Sequence, residues 1–267
     1  MHRKFYREVR ALELQLTPAQ DAIVTDADLA PLPAAAQRYL RFMGAVGKPR
    51  IWSLRVGFEG RFKLARDSDW LPCKTIQYNS RDELARLFYM TIRVKLIPML
   101  GRDTYLRGKG RMLGRALDLI TVVDGSGPEF DIGELVTYLN DAILMAPSML
   151  LGSETTWTAV DDLAFDITFA DRGTTVRARV FLDERGAPMN FSTTDRFMDD
   201  PARPGHYVRA RWMTPMDDWM EVEGRRLPTS GKAVWYPEGA APLPYADFRL
   251  VAGTVAFNVA PGEAPAE

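Results

Sequence analysis

In WSLRVGFEGRFKL, residues 52–64, Trp52, Leu54, Val56, Phe58, Phe62 and Leu64 alternate with Ser53, Arg55, Glu59, Arg61 and Lys63, with glycines at 57 and 60. A period of two sends successive side chains to opposite faces, so the stretch reads as one long strand with a dry and a wet face. Outward from it, the polar cluster 65–69 turns the chain, and residues 70–79 return as a strand weakened at Pro72. A third strand has Phe88, Met90, Ile92, Val94 and Leu96 facing one way, against Thr91, Arg93 and Lys95. Residues 104–112 and 117–123 read as two more, ended by Asp124-Gly125.

A helix is expected next, over residues 131–145. Asp131 and Glu134 have capping-box spacing, Ile132, Leu135, Val136, Leu139 and Ile143 form one apolar face, and Pro147 stops it. Further strands are expected at 157–160, 164–169, 176–182, 189–197, 207–213, 219–223, 232–236 and 248–259, several joined by short polar turns such as 171–173 and 183–186. Upstream, Phe5, Val9, Leu12 and Leu16 recur at helical spacing. A second helix is expected over 33–43, with Pro33 in its first turn and Gly44 as its stop.

No strand–helix–strand alternation appears, which argues against a parallel doubly wound fold. A sheet of about a dozen strands must curl or split. The fold class is therefore mainly β (α+β): a large curved antiparallel sheet or half-barrel with one internal helix lying in its hollow, and N-terminal helices. The expected organisation is a helical segment 1–48, a curved β domain 49–259 and a disordered tail 260–267.

The 267 residues carry 34 Lys and Arg against 35 Asp and Glu, a net charge of −1 that offers no global attraction to nucleic acid. The single cysteine, Cys73, makes no internal disulfide and reads as a small half-buried residue. No apolar run approaches the ~20 residues needed to span a bilayer, and MHRKFYREVR lacks the apolar stretch of a secretory signal. The chain reads as soluble and, by default, cytoplasmic. Arg3, Lys4, Arg7 and Arg10, followed by Leu12, Leu14 and Leu16, allow a helix lying on an anionic membrane surface, and a helix docked on the domain is the simpler reading.

Most site motifs dissolve on inspection. Gly108-Lys109-Gly110-Arg111-Met112-Leu113-Gly114 has its third glycine one residue too late for a dinucleotide loop, so its glycines read as marks of bulges or close backbone approach. Only His2 and His206 exist, no Cys or His pair has metal-ligand spacing, and neither a metal nor another cofactor is expected. A nucleophilic set of Ser192, Asp195 and His206 lacks any nucleophile elbow. Glu134 and Asp141, seven residues apart, share a helix face. If it looks into the hollow they meet Asp103, Tyr105, Gln77, Tyr78 or Arg196, and two acids in unequal environments divide acid and base roles. The catalytic candidates are thus Glu134, Asp141, Tyr105 and Arg196. The simpler alternative is a solvated face with Glu134 engaged in capping. Twelve Met, 13 Phe, nine Tyr and six Trp suit a pliable apolar cavity or, equally, a large β core. The ligand-binding candidates are Tyr78, Tyr138, Met145 and Trp157.

LPAAAQRYLRFMG (32–44), FEGRF (58–62), WLPCKTIQY (70–78), GRDTYLRGKGRM (101–112), ELVTYLNDAILMAPSMLL (134–151) and GRRLPTSGKAVW (224–235) resemble an uncharacterised bacterial family of conserved hypothetical proteins, a domain of unknown function. Members of that family often carry membrane-spanning helices ahead of this region, and this chain begins where such a helix would end. In layout the sequence is more distantly similar to the periplasmic lipoprotein-carrier superfamily, half-open barrels that hold acyl chains under a helical lid. That resemblance implies an apolar hollow. The leading expectation is a protein binding a lipid or other apolar ligand beneath the 131–145 helix. The alternatives are a cofactor-independent enzyme in the same hollow and a membrane-peripheral interaction module.

Overall fold

A computed structural model of the chain describes residues 1–14, 22–200, 202, 203 and 205–264. Helices α1 (His2–Ala11), α2 (Asp26–Leu29) and α3 (Ala34–Phe42) precede the strands. Pro33 sits at the N-cap of α3, and Gly44, just past its end, takes the left-handed conformation (φ 71°) that favours glycine. Leu16 and the residues around it lie outside the described residues.

The first half of the sheet is a meander of β1 (Ser53–Phe62), β2 (Leu71–Ser80), β3 (Ala85–Val94), β4 (Ile97–Leu106), β5 (Lys109–Ala116) and β6 (Ile120–Ser126). Helix α4 (Pro128–Met145) and a 3-10 turn (Pro147–Leu150) lead to β7 (Thr155–Asp161), β8 (Ala164–Asp171), β9 (Thr174–Leu182) and β10 (Pro188–Thr193). A two-stranded ribbon, β11 (Phe197–Asp199) and β12 (Tyr207–Arg209), stands apart. The chain then rejoins the sheet as β13 (Arg211–Met213), β14 (Met216–Val222), β15 (Arg225–Tyr236), β16 (Leu243–Leu250) and β17 (Ala256–Phe257).

The sheet runs β6-β5-β4-β3-β2-β1-β16-β15-β13-β10-β9-β8-β7, antiparallel throughout. It is not closed into a barrel: β6 and β7 each have one neighbour on this path. The halves join where β16 pairs with β1, Phe58 facing Leu250 and Phe62 facing Ala246. Helix α4 connects the two edge strands, so it must cross the concave face. Its 18 residues span about 27 Å. It touches β3, β4, β5 and β6 on one side and β9, β11 and β15 on the other.

Several sequence expectations need correction. Residues 104–112 are not one strand: Arg107 (φ 53°) and Gly108 (φ 77°) make a two-residue left-handed turn, and β4 and β5 flank it as a hairpin. Leu117 and Asp118 (φ 52° and 55°) likewise form a turn rather than a strand start, and Leu96 lies in the β3–β4 turn rather than on a face. Helix α4 begins three residues early, with Gly127 at its N-cap, so the Asp131–Glu134 capping box does not exist. Asp131 instead accepts from the Gly110 backbone N–H at 2.8 Å and from Lys109 Nζ at 2.9 Å. Gly110 lies so close to the helix start that a Cβ there would sit 2.1 Å from the Phe130 carbonyl oxygen, and the register of β5 shifts just after Gly114. Those glycines mark close approach and a bulge, as the sequence indicated.

β1 alternates only in its second half. Ser53 and Arg55 are buried because the convex face there is covered. Phe5 and Val9 of α1 pack on Ile76, Tyr78, Leu87 and Tyr89. Arg55 Nη1 donates to the Glu263 carbonyl at 2.6 Å, and Ser53 Oγ to that of Val259 at 2.7 Å. Glu263, in the described part of the tail, is thus tied to β1. On the concave side, α2, α3 and α4 share one core with β7–β10, including Leu29, Tyr39, Leu139, Ile143, Phe165, Val180 and Phe191.

Candidate functional site

The β-strand register assembles the site. Asn79 pairs with Arg86, Gln77 with Phe88, and Phe88 with Asp103, placing polar groups from β2, β3 and β4 on one concave patch. Glu134 and Asp141, two turns apart on α4, face that patch. Arg86 donates from Nε to Asp141 Oδ2 at 2.7 Å and from Nη1 to Glu134 Oε2 at 3.0 Å. The same Asp141 oxygen accepts from Gln77 Nε2 at 3.0 Å and Asn79 Nδ2 at 3.2 Å. All five residues are buried. The expectation of a solvated helix face is overturned: α4 is enclosed on both sides because it bridges the two halves of the sheet.

The charges do not cancel locally, since Arg86 and Arg196 face Asp103, Glu134 and Asp141. Burial pushes the Glu134 carboxyl up to about 8, with Asp103 adding to the shift and Arg86 and Arg196 opposing it. Burial also raises Asp103, against the pull of the same two arginines. For Arg86, burial disfavours the charge, but Asp141 and then Glu134 overcome it, so the guanidinium stays protonated. A 3.0 Å ion pair and a raised Glu134 coexist because one guanidinium is shared: Asp141 holds it with better geometry, leaving Glu134 incompletely compensated beside Asp103.

The second wall comes from the C-terminal half. Arg196 stacks over the Trp212 ring at 4.2 Å from its centroid and lies 5.8 Å from that of Trp235, and it donates to Thr137 Oγ1 of α4. Trp212 Nε1 donates to Tyr245 OH at 3.0 Å, and Thr214 Oγ1 to Asn140 Oδ1 at 2.6 Å.

Between these walls is a cavity of about 860 Å³. Its lining is largely apolar, including Phe58, Phe88, Met90, Met112, Leu144, Met145, Trp212 and Phe248, with Glu134, Asp103, Arg86 and Arg196 forming the charged patch. Lining residues that are themselves exposed, Leu64, Arg66, Val122 and Val123, mark its mouth.

Of the catalytic candidates, Glu134, Asp141 and Arg196 line the cavity and Tyr105 does not. The Tyr105 hydroxyl donates to Asp171 Oδ2 at 2.7 Å. Among the ligand-binding candidates only Met145 lines it. Tyr78 packs under α1 on the convex face, Tyr138 stacks on Phe169 in the core, and Trp157 packs on Tyr39 and Phe165. Residue type alone points those three rings toward a ligand, and strand parity and helix rotation send them elsewhere. Sequence reasoning missed Arg86. Its signal is a lone cation in ARLFYMTIRV on the face shared by Phe88 and Met90. Ser192, Asp195 and His206 form no triad: Asp195 accepts from the Arg177 backbone N–H and from Arg209. Among the described residues no helix is long and apolar enough to cross a membrane.

A family model described as "Family of unknown function (DUF6544)" matches residues 22–248. No curated protein matches the sequence. Among solved structures, the LolA superfamily protein NE2245 from Nitrosomonas europaea matches at 12% identity and a TM-score of 0.35, covering 86% of this chain and 92% of its own.

Proposed function

We propose that this chain, which belongs to the DUF6544 family, binds an elongated amphipathic ligand between α4 and the concave sheet. The supporting observation is the cavity of about 860 Å³, within the ordinary range for small-molecule sites and walled by aromatic, Met and Leu side chains. Its apolar walls suit an acyl chain or similar tail, and its charged patch suits a polar end group. Met90, Met112 and Met145 let the wall adapt to tails of different shape.

The test is to narrow the space. Gly101 faces the cavity, and a Cβ there makes only ordinary contact with Met90, 3.7 Å away. Gly101→Phe therefore puts a ring into the hollow without disturbing the backbone. Displacement of a fluorescent fatty acid should weaken at least about tenfold, the equivalent of ~1.4 kcal/mol. Absence of stoichiometric lipid in organic extracts of the purified protein, together with no fatty-acid binding by the unaltered chain, refutes the proposal.

One observation favours a second reading. A carboxyl raised to about 8 beside another acid, inside a cavity, is poised for general acid–base work without a cofactor. In that reading Glu134 exchanges the proton, Arg196 holds a developing negative charge, and Tyr105 has no part. Glu134→Gln separates the two: turnover of a bound compound is abolished if Glu134 is the acid, whereas tail binding persists if the site only carries.

A further inference from the structure

The end of the sheet at the cavity mouth carries three neighbouring hairpin tips. The β1–β2, β3–β4 and β5–β6 turns all leave the same end, because Phe62 pairs with Leu71, Val94 with Ile97, Met99 with Ala116, and Ala116 with Ile120. Their aliphatic side chains point into solvent: Leu96 is 94% exposed, Leu119 75% and Ile120 62%, with Leu64, Ile97 and Leu117 each about half exposed. Leaving so many large apolar groups in water at one place is costly, and contiguous exposed apolar patches mark contact surfaces.

Cations surround these tips. Arg93 and Lys95 beside Leu96 have no carboxylate within ion-pair distance among the described residues. At the β5–β6 tip, Asp118 is shared by Arg115 and by Lys4 of α1 at 2.5 Å, which ties the helix to the same end and places exposed Arg3 and Arg7 on the adjoining surface. The β1–β2 tip is balanced, Lys63 and Arg66 against Asp67 and Asp69. The net charge of the tips together is positive.

We propose that this end of the molecule docks on a bilayer bearing anionic headgroups, with Leu96, Leu119 and Ile120 entering the interface and Arg93, Lys95 and the α1 arginines lying among the headgroups. The inference goes beyond ligand binding and does not require the cavity to be occupied. It also moves the membrane contact from α1, whose apolar face is spent on the sheet, to the hairpin tips. A second copy of the chain is a poorer occupant, because a two-fold contact would bring one cationic patch, with its Arg93 and Lys95, against another of the same sign. An interface carrying anionic lipid satisfies the aliphatic and the cationic groups together.

The test is co-sedimentation of the full chain with phosphatidylcholine vesicles, with and without phosphatidylglycerol. Binding is expected only with phosphatidylglycerol and should weaken as salt rises. Leu96→Ser combined with Leu119→Ser should lower partitioning by more than about tenfold, since each leucine loses its transfer into the interface. Arg93→Ser combined with Lys95→Ser should lower it several-fold and flatten the salt dependence. All four side chains are outside the core, so unchanged thermal melts verify the fold. No binding to the anionic vesicles, or binding indifferent to both pairs, overturns the proposal. So does a concentration-dependent dimer that the leucine pair abolishes, which would assign the patch to a second copy. Fatty-acid displacement in the same variants should be unaltered, so failure here is distinguishable from failure of the ligand reading.

Discussion

Replacing Glu134 by Gln tests the electrostatics of the buried patch directly. Below pH 4.5 the carboxyl is protonated in both folded and unfolded chains and contributes no pH dependence. Above that, the unfolded chain releases the proton while the folded chain retains it up to about pH 8, so stability falls as pH rises through this window. The difference between 4.5 and about 8 is about 3.5 units, and at 1.36 kcal/mol per unit the loss approaches ~5 kcal/mol, an order-of-magnitude figure comparable with the whole stability of many domains. Above pH 8 both states are ionised and the penalty is constant. Glu134→Gln mimics the protonated carboxyl and removes this dependence. In urea titrations from pH 5 to 9 the variant should gain on the unaltered protein by up to about 1.4 kcal/mol per pH unit, levelling off above pH 8. A stability difference that stays flat across that range would refute the view that Arg86 leaves Glu134 uncompensated.

Arg86→Met should destabilise the fold by about 3–5 kcal/mol at neutral pH, read as a shift in urea midpoint, because Asp141 and Glu134 lose their shared buried cation. Adding Asp141→Leu to that variant should restore most of the loss, since it removes the carboxylate left without a cation, while Glu134, raised to about 8, is protonated at neutral pH. Gly110→Ala should cost about 1–3 kcal/mol or more, because its methyl would overlap the Phe130 carbonyl at the start of α4. Cys73, buried and with its thiol pushed up to about 11 by burial, should react with a thiol reagent at pH 8 far more slowly in the native protein than in urea.

The convex and concave roles of individual residues were only partly legible. Period-two alternation identified β1, β2 and β3, and Pro33 and Gly44 bounded α3, because these signals are local. The β4–β5 turn has no local signal at its first position, because Arg107 is not a typical left-handed residue and its positive φ is imposed by the hairpin twist. Asp131 and Glu134 looked like a capping box because spacing alone does not say which backbone N–H is nearest. In the folded chain Asp131 answers Gly110, and Glu134 turns inward to Arg86. The seven-residue interval between Glu134 and Asp141 correctly placed them on one face, but whether that face met water or a guanidinium depended on β3.

Side-chain periodicity and turn chemistry, which act over a few residues, were enough to specify a mainly antiparallel protein too wide to lie flat, with one apolar helix to cover. The pairing of β1 with β16, far apart in the chain, belonged to the tertiary structure. So did the placing of Arg86, Asp103, Glu134, Asp141 and Arg196 around one hollow. Long-range register brings together charges that no local rule associates, and only burial makes their mutual repulsion and pairing strong enough to matter.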